Sequence, residues 1–130
     1  MLDTNIASAL VNQAHIGRVF DKLMVFGADR ACISIITAAE IRFGLAKRSS
    51  PRLERNVSLL FETIQIVPFD APADMHYAEI RAYLSKAGQI IGPNDLFIAA
   101  HARALDLTLV TDNIGEFSRV PDLRVENWLD

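Results

Sequence analysis

The chain has 130 residues, of which 51% are hydrophobic and 22% charged, with a formal net charge of −3. That balance and length give one globular domain over residues 1–130 and exclude a disordered chain. No apolar run approaches the ~18 residues of a membrane span, and Asp3 and Asn5 interrupt the place where a signal peptide's apolar segment would begin, so a cytoplasmic protein with no membrane partner is expected.

Along the chain, short apolar runs alternate with helical periodicity. Met1-Leu2 reads as the stub of a strand, followed by helices over about 4–10 and 16–26, the second with apolar spacing at Val19, Leu23 and Phe26. A strand over 31–35 leads into a helix over about 37–47. After Ser49-Ser50-Pro51, the positions Leu53, Val57, Leu60 and Ile64 keep a helical period, and 65–68 is a short strand. Pro72 opens a helix to about Lys86, since proline is tolerated in a first turn. Asn94 is a good N-cap for a helix over 95–105 that is apolar on most sides. A buried strand is expected over 108–111 and an edge strand over 124–126, with Trp128 covering the core.

Strands alternating with helices predict an α/β fold, a central parallel sheet flanked by helices on both faces. The single cysteine, Cys32, lies in the apolar run ACISII and reads as core. Phe43, Phe61, Phe69 and Phe97 also read as core rather than as platforms for stacked bases.

Asp3, Glu40, Asp95 and Asp112 sit just beyond the ends of apolar runs. In a parallel α/β sheet, ligands bind beyond the carboxyl ends of the strands, so Asp3, Glu40 and Asp112 are expected on one rim. Carboxylates gathered without a cation repel one another, and a hard ion such as Mg²⁺ relieves that repulsion. Each acid also has a local alternative. Asp3 would cap the following helix, Thr37-x-x-Glu40 is a capping box, Asp95 complements a helix dipole, and Asp112-Asn113 suits a turn. The four together are more informative than any one, because independent caps need not converge.

Net negative charge argues against nucleic-acid binding, but Arg42, Lys47, Arg48, Arg52 and Arg55 fall in one stretch opposed only by Glu54. That stretch is either a solvated helical face or a set of phosphate contacts. His15, His76 and His101 lack metal-ligand spacing, so zinc is not expected. His101, six residues beyond Asp95 on the same helix, should point away from it. No GxSxG, Walker or GxGxxG motif is present, which removes the commonest serine-hydrolase and nucleotide-binding readings.

The segments MLDTNI, SIITAAEIRFGLAK, IGPNDLFIAAHA and LTLVTDNIGEFSRVPDLRVENWL together resemble the VapC toxins of the PIN-domain family. The likeness covers almost the whole chain, and the last segment looks most like the branch that cuts initiator tRNA in its anticodon loop. The resemblance implies a PIN fold, a three-layer sandwich. It also implies a Mg²⁺- or Mn²⁺-dependent endoribonuclease that inhibits translation, is homodimeric, and is held inactive by a VapB-type antitoxin. Carried over residue by residue, Asp3, Glu40, Asp95 and Asp112 would be the catalytic and metal-site acids, with Asn5 and Thr111 as polar supports. The rival within the same fold is a catalytically inactive domain that binds RNA or protein, which would be expected to have lost some acids. A receiver-like module would need a lysine after a late strand, and LTLVTDN has none.

Overall fold

Side chains alternate across a strand, and that period of two builds the layers of this molecule. The structure, a computed structural model, describes residues 1–12 and 16–128. His15 therefore lies outside the described residues. Strand β1 (Cys32–Ser34) runs parallel to β2 (Gln65–Val67), with Ile33 opposite Ile66. Strand β3 (Leu109–Val110) runs parallel to β4 (Val125–Glu126). Leu2 bridges in parallel to Ile33 on one side and Val110 on the other, which joins both pairs into the spatial order β2, β1, Leu2, β3, β4.

Leu2, Ile33 and Val110 point to one side of this sheet. There they pack with Ile6 and Val11 of α1 (Thr4–Asn12), Val19 and Leu23 of α2 (Ile16–Phe26), Ile41 of α3 (Ile35–Lys47), and Val57 and Leu60 of α4 (Pro51–Thr63). Their neighbours Met1, Cys32 and Leu109 point to the other side. They meet Ile80 and Leu84 of α5 (Ala73–Ala87), Leu96 and Ile98 of α6 (Pro93–Ala104), and Phe117 of the one-turn helix α7 (Ile114–Phe117). Helices thus cover both faces, as the alternation predicts. Cys32 is buried and Trp128 closes the first core, its ring centroid 5.9 Å from that of Phe26.

Three local expectations differ from the structure. Helix α3 begins two residues earlier than the sequence suggests, because the Ser34 side chain caps it by accepting from the Ile36 N–H at 3.0 Å. Thr37 therefore lies inside the helix, and no capping box forms with Glu40. Helix α6 likewise starts at Pro93 with Gly92 at the N-cap, so Asn94 is not the cap. The fixed φ of proline suits the first helical position, and the Gly92 N–H is taken by the Glu116 carboxylate at 2.9 Å. Finally, Phe43 is 64% exposed and not core. It lies on the solvent side of α3, where the Lys47 ammonium sits 4.9 Å from its ring centre.

Candidate active site

The parallel register that puts Leu2 between Ile33 and Val110 puts the next residues, Asp3, Ser34 and Thr111, side by side at the carboxyl ends of the three central strands. By alternation they lie on the side of Met1, Cys32 and Leu109, against α6. All three are buried, and a buried polar group is costly unless hydrogen-bonded. Each is satisfied. Asp3 Oδ1 accepts from the Ile6 N–H at 2.9 Å, so Asp3 does cap α1. The Thr111 hydroxyl bonds to the Asp3 carboxylate and accepts from the Asn113 N–H at 2.9 Å. Thr111 thus holds Asp3 while shaping the turn that follows β3.

Glu40 reaches this rim from the second turn of α3. Its Oε1 accepts from the Thr4 hydroxyl at 2.7 Å, and Thr4 Oγ1 is 3.1 Å from Thr37 Oγ1. Because the single Thr4 proton goes to Glu40, Thr37 donates to Thr4. The glutamate is therefore aimed by a two-threonine relay between α1 and α3. Asp95 comes from the first turn of α6. Asp112 is exposed at the end of β3, where Asn5 Nδ2 donates to its Oδ1 at 3.4 Å.

The acids sense one another. Burial pushes the Asp3 carboxyl up to about 6, against the hydrogen bonds from Thr111 and Ile6 that lower it, and the Asp112 charge adds to the rise. Burial also pushes Asp95 up to about 7; the next cause is Glu116, by charge and by a hydrogen bond between the carboxyls, followed by the charges of Asp3 and Glu40. The expected acids are thus brought to one place, with Asp112 on its outer edge.

Glu116 is the acid that sequence reasoning missed. It lies on α7, and its Oε1 accepts from Gly92 N–H while its Oε2 accepts from Asn113 Nδ2. No helical period marks it, because α7 is a single turn. Among the described residues, no three acidic, histidine or cysteine side chains close tightly enough around one point to hold an ion unaided. The donors are all carboxylate oxygens, the set that a hard cation takes.

The basic stretch does not form one stripe. Arg48 and Arg52 share a hollow of about 170 Å³ with Ser50 and Asn56. The Arg42 guanidinium lies 4.6 Å from the Phe61 ring centre, Lys47 covers Phe43, and Arg55 lines a separate depression with Glu54 and Glu62. His101 is buried in the core, with its Nδ1 2.8 Å from Ser34 Oγ.

Comparison with known proteins bears on the whole chain. Residues 1–123 match the family model described as PIN domain. The chain is 41% identical over 132 residues to Ribonuclease VapC2 of Rickettsia felis, covering 98% of this chain and 96% of that protein. It is 35% identical over 133 residues to the tRNA(fMet)-specific endonuclease VapC of Salmonella typhimurium, again covering 98% and 96%. Its fold matches the crystal structure of VapBC2 from Rickettsia felis bound to a promoter DNA fragment with a TM-score of 0.92, at 37% identity over 98% of this chain and 97% of that one. No helix among the described residues is long and apolar enough to cross a membrane.

Proposed function

The chain belongs to the PIN-domain family and, within it, to the VapC ribonucleases, and from that premise we propose that it is an endoribonuclease toxin that works with Mg²⁺ or Mn²⁺ held at the acidic rim. The observation that carries this reading is the convergence of Asp3, Glu40 and Asp95, with Asp112 and Glu116 beside them, at the carboxyl ends of a parallel sheet. The carboxyl pKa values of Asp3 and Asp95 are raised first by burial and then by neighbouring carboxylates, and a bound cation would offset both effects. An open set of carboxylates suits Mg²⁺, which keeps several waters and is held by one or two protein carboxylates plus phosphate oxygens.

When bound, such an ion supplies a water activated for attack on phosphorus and positive charge for the departing oxygen. The chain's own residues do the placing. Asp3 and Asp95 would hold the ion, because they are pinned at a strand end and a helix first turn. Thr4 and Thr37 fix Glu40, Thr111 fixes Asp3, and Asn5 fixes Asp112. Glu116 is tied to the Gly92 N–H and presses on Asp95.

The substrate in this reading is initiator tRNA, cut in the anticodon loop, with arrested translation as the consequence. The name of the Salmonella relative supports that choice, and a loop exposes its backbone to a rim-located site. In this reading the chain is a homodimer and is restrained by a VapB-type antitoxin, the latter supported by the VapBC composition of the similar structures. The test is to incubate purified protein with initiator and elongator tRNA in Mg²⁺ or in EDTA, alongside Asp95→Asn, and to sequence the RNA ends. A single break in the initiator anticodon loop, lost in EDTA and in the variant, is the expected result. Equal cleavage in EDTA or by Asp95→Asn overturns the metal-site reading. Breaks spread over messenger RNA with initiator tRNA intact overturn only the substrate.

A further inference from the structure

We propose that the crevice between α5 and α6, next to the acidic rim, is a slot for one unstacked nucleobase of the RNA beside the phosphodiester that is cut. This rests on the ribonuclease reading above and adds to it a place where sequence is read. The crevice has a volume of about 170 Å³ and is walled by Tyr77, Arg81 and Ser85 of α5, by Ile90 of the connecting segment and by Pro93 of α6. Pockets for whole drug-sized ligands run to roughly 300–1,000 Å³. The smaller space takes one planar ring and excludes a helix.

Its position links it to the chemistry. Pro93 is two residues before Asp95, and the adjoining Gly92 N–H donates to Glu116 at 2.9 Å. One short segment, 90–95, therefore forms a wall of the crevice with one end and carries an acid of the site on the other. Arg119, three residues after Glu116, donates from Nη1 to the Ile90 carbonyl at 3.3 Å. Guanidinium groups thus stand on two sides of the crevice, Arg81 in its wall and Arg119 at its connecting segment. The acidic rim repels phosphates, and cations set beside it offset that repulsion for the flanking backbone.

The walls are fixed before any ligand arrives. Tyr77 stacks on Phe97 with ring centroids 4.4 Å apart and an interplanar angle of 14°, and its hydroxyl accepts from Arg81 Nη1 at 2.9 Å. Ile90 is 69% exposed at the mouth, an apolar side chain that a base would cover. The Ser85 hydroxyl and the Arg81 N–H groups are the donors available to a base edge. Bases splayed from a loop and set against aromatic and guanidinium surfaces are the usual means of reading single-stranded RNA.

The test measures binding, not turnover. Initiator tRNA anticodon stem-loops, each abasic at one loop position in turn, are titrated by fluorescence anisotropy in EDTA against the wild type, Ser85→Phe and Ile90→Ser. Ser85 is exposed, so a phenylalanine there fills the crevice without entering the core. The wild type is expected to bind about tenfold more weakly when one particular base is missing, and that base flanks the cut mapped after Mg²⁺ is added. Ser85→Phe should weaken the intact RNA by a similar factor and become indifferent to the same abasic site, with Ile90→Ser intermediate. The slot is overturned if no single position matters to the wild type, or if the sensitive position matters equally to both variants. It is also overturned if Ser85→Phe alters only the mass of the protein in solution, which would make the crevice a seat for a second copy. Failure of the ribonuclease reading shows separately, as the absence of any cut once Mg²⁺ is present.

Discussion

His101 Nδ1 lies 2.8 Å from Ser34 Oγ inside the protein, and this contact ties the helix that begins beside Asp95 to the helix that carries Glu40. Ser34 Oγ accepts from the Ile36 N–H and is also hydrogen-bonded to His101 Nδ1. One buried hydroxyl therefore caps α3 and anchors α6. Ser34→Ala leaves both partners unsatisfied and is expected to cost about 1–3 kcal/mol. Urea denaturation measures this, and an unchanged midpoint would remove the contact from the account of stability.

The same interior gives a pH dependence with opposing parts. Asp3 and Asp95 have folded-state values raised to about 6 and about 7 from 3.8, so the folded protein holds protons that the unfolded chain releases. Their contribution is fully present below about pH 4 and is lost as pH rises through 6 and 7. Burial lowers His101 from 6.5, so its contribution has the opposite sign and is lost as pH falls below that value. The imidazole offsets part of the carboxyls' effect. In EDTA, the melting temperature is expected to fall as pH rises from about 5 to about 7.5, and Asp95→Asn should flatten the fall. Added Mg²⁺ should raise the wild-type melting temperature at pH 7.5 more than that of the variant. A metal-free melting temperature that climbs across this range would contradict the assigned strain.

Thr4 is the prediction most specific to this geometry. Its hydroxyl is the group that donates to Glu40, at 2.7 Å, and it lies outside the set of charged groups. Thr4→Val keeps the shape and removes the proton. Partners that orient ligands typically matter by about 10–100-fold in metal affinity or activity. Cleavage rate against Mg²⁺ concentration should shift to higher metal by about tenfold, with a modest fall in melting temperature because the buried Thr37 hydroxyl loses its acceptor, whereas an unshifted curve would leave Glu40 without a functional buttress.

Gly92 supplies a steric version of the same test. A Cβ placed there would lie 3.3 Å from Asp95 Oδ2 and 3.8 Å from Glu116 Oε1. Its backbone is at φ −55° and ψ 147°, which any residue adopts, so alanine is not strained by conformation. Gly92→Ala should therefore fold as the wild type does and displace the Asp95 carboxylate by a few tenths of an ångström. Cleavage should drop at limiting Mg²⁺ and recover in part when the metal is raised. An indifferent variant would show that the carboxylate has room to spare.

What the sequence disclosed follows from which forces act locally. Short apolar runs alternating with helical periods are visible in the chain itself, so the layered α/β fold was legible, whereas the burial of Asp3 beside Ser34 and Thr111 depends on the strand register. Glu40 was ambiguous because Thr37-x-x-Glu40 satisfies a local rule, and only contact with Thr4, 36 residues away, decides where its carboxylate goes. Asn94 lost the cap for a similar reason: Pro93 and the distant Glu116 fix the start of α6. Glu116 itself escaped notice because α7 has a single turn, too short to show a period. Phe43 shows the remaining gap, since a helical pattern gives the spacing of apolar residues but not which face another element covers.

Arg48 and Arg52 yield the last prediction, because they alone of the basic stretch share a hollow, with Ser50 and Asn56 beside them. Helix α4 begins at that hollow, where the Ser50 hydroxyl accepts from the Leu53 N–H at 3.2 Å. Arg48 follows α3, the helix that carries Glu40, Arg52 lies in the first turn of α4, and Asn56 of α4 donates to the Val11 carbonyl at 2.8 Å, near the end of α1. A helix rises 1.5 Å per residue, so the eight residues from Glu40 to Arg48 place this hollow about 12 Å from the acids, roughly two nucleotides along an extended strand. Contacts there would grip the backbone without reading bases. Reversing both charges, Arg48→Glu with Arg52→Glu, should weaken RNA binding and reduce the dependence of its logarithm on the logarithm of salt by about 1 to 2, while the break stays at the same nucleotide. Titrations at several salt concentrations measure the slope, and end-mapping measures the position. A moved break would assign these arginines to selection of the cut, and an unchanged slope would leave them as solvated surface charges.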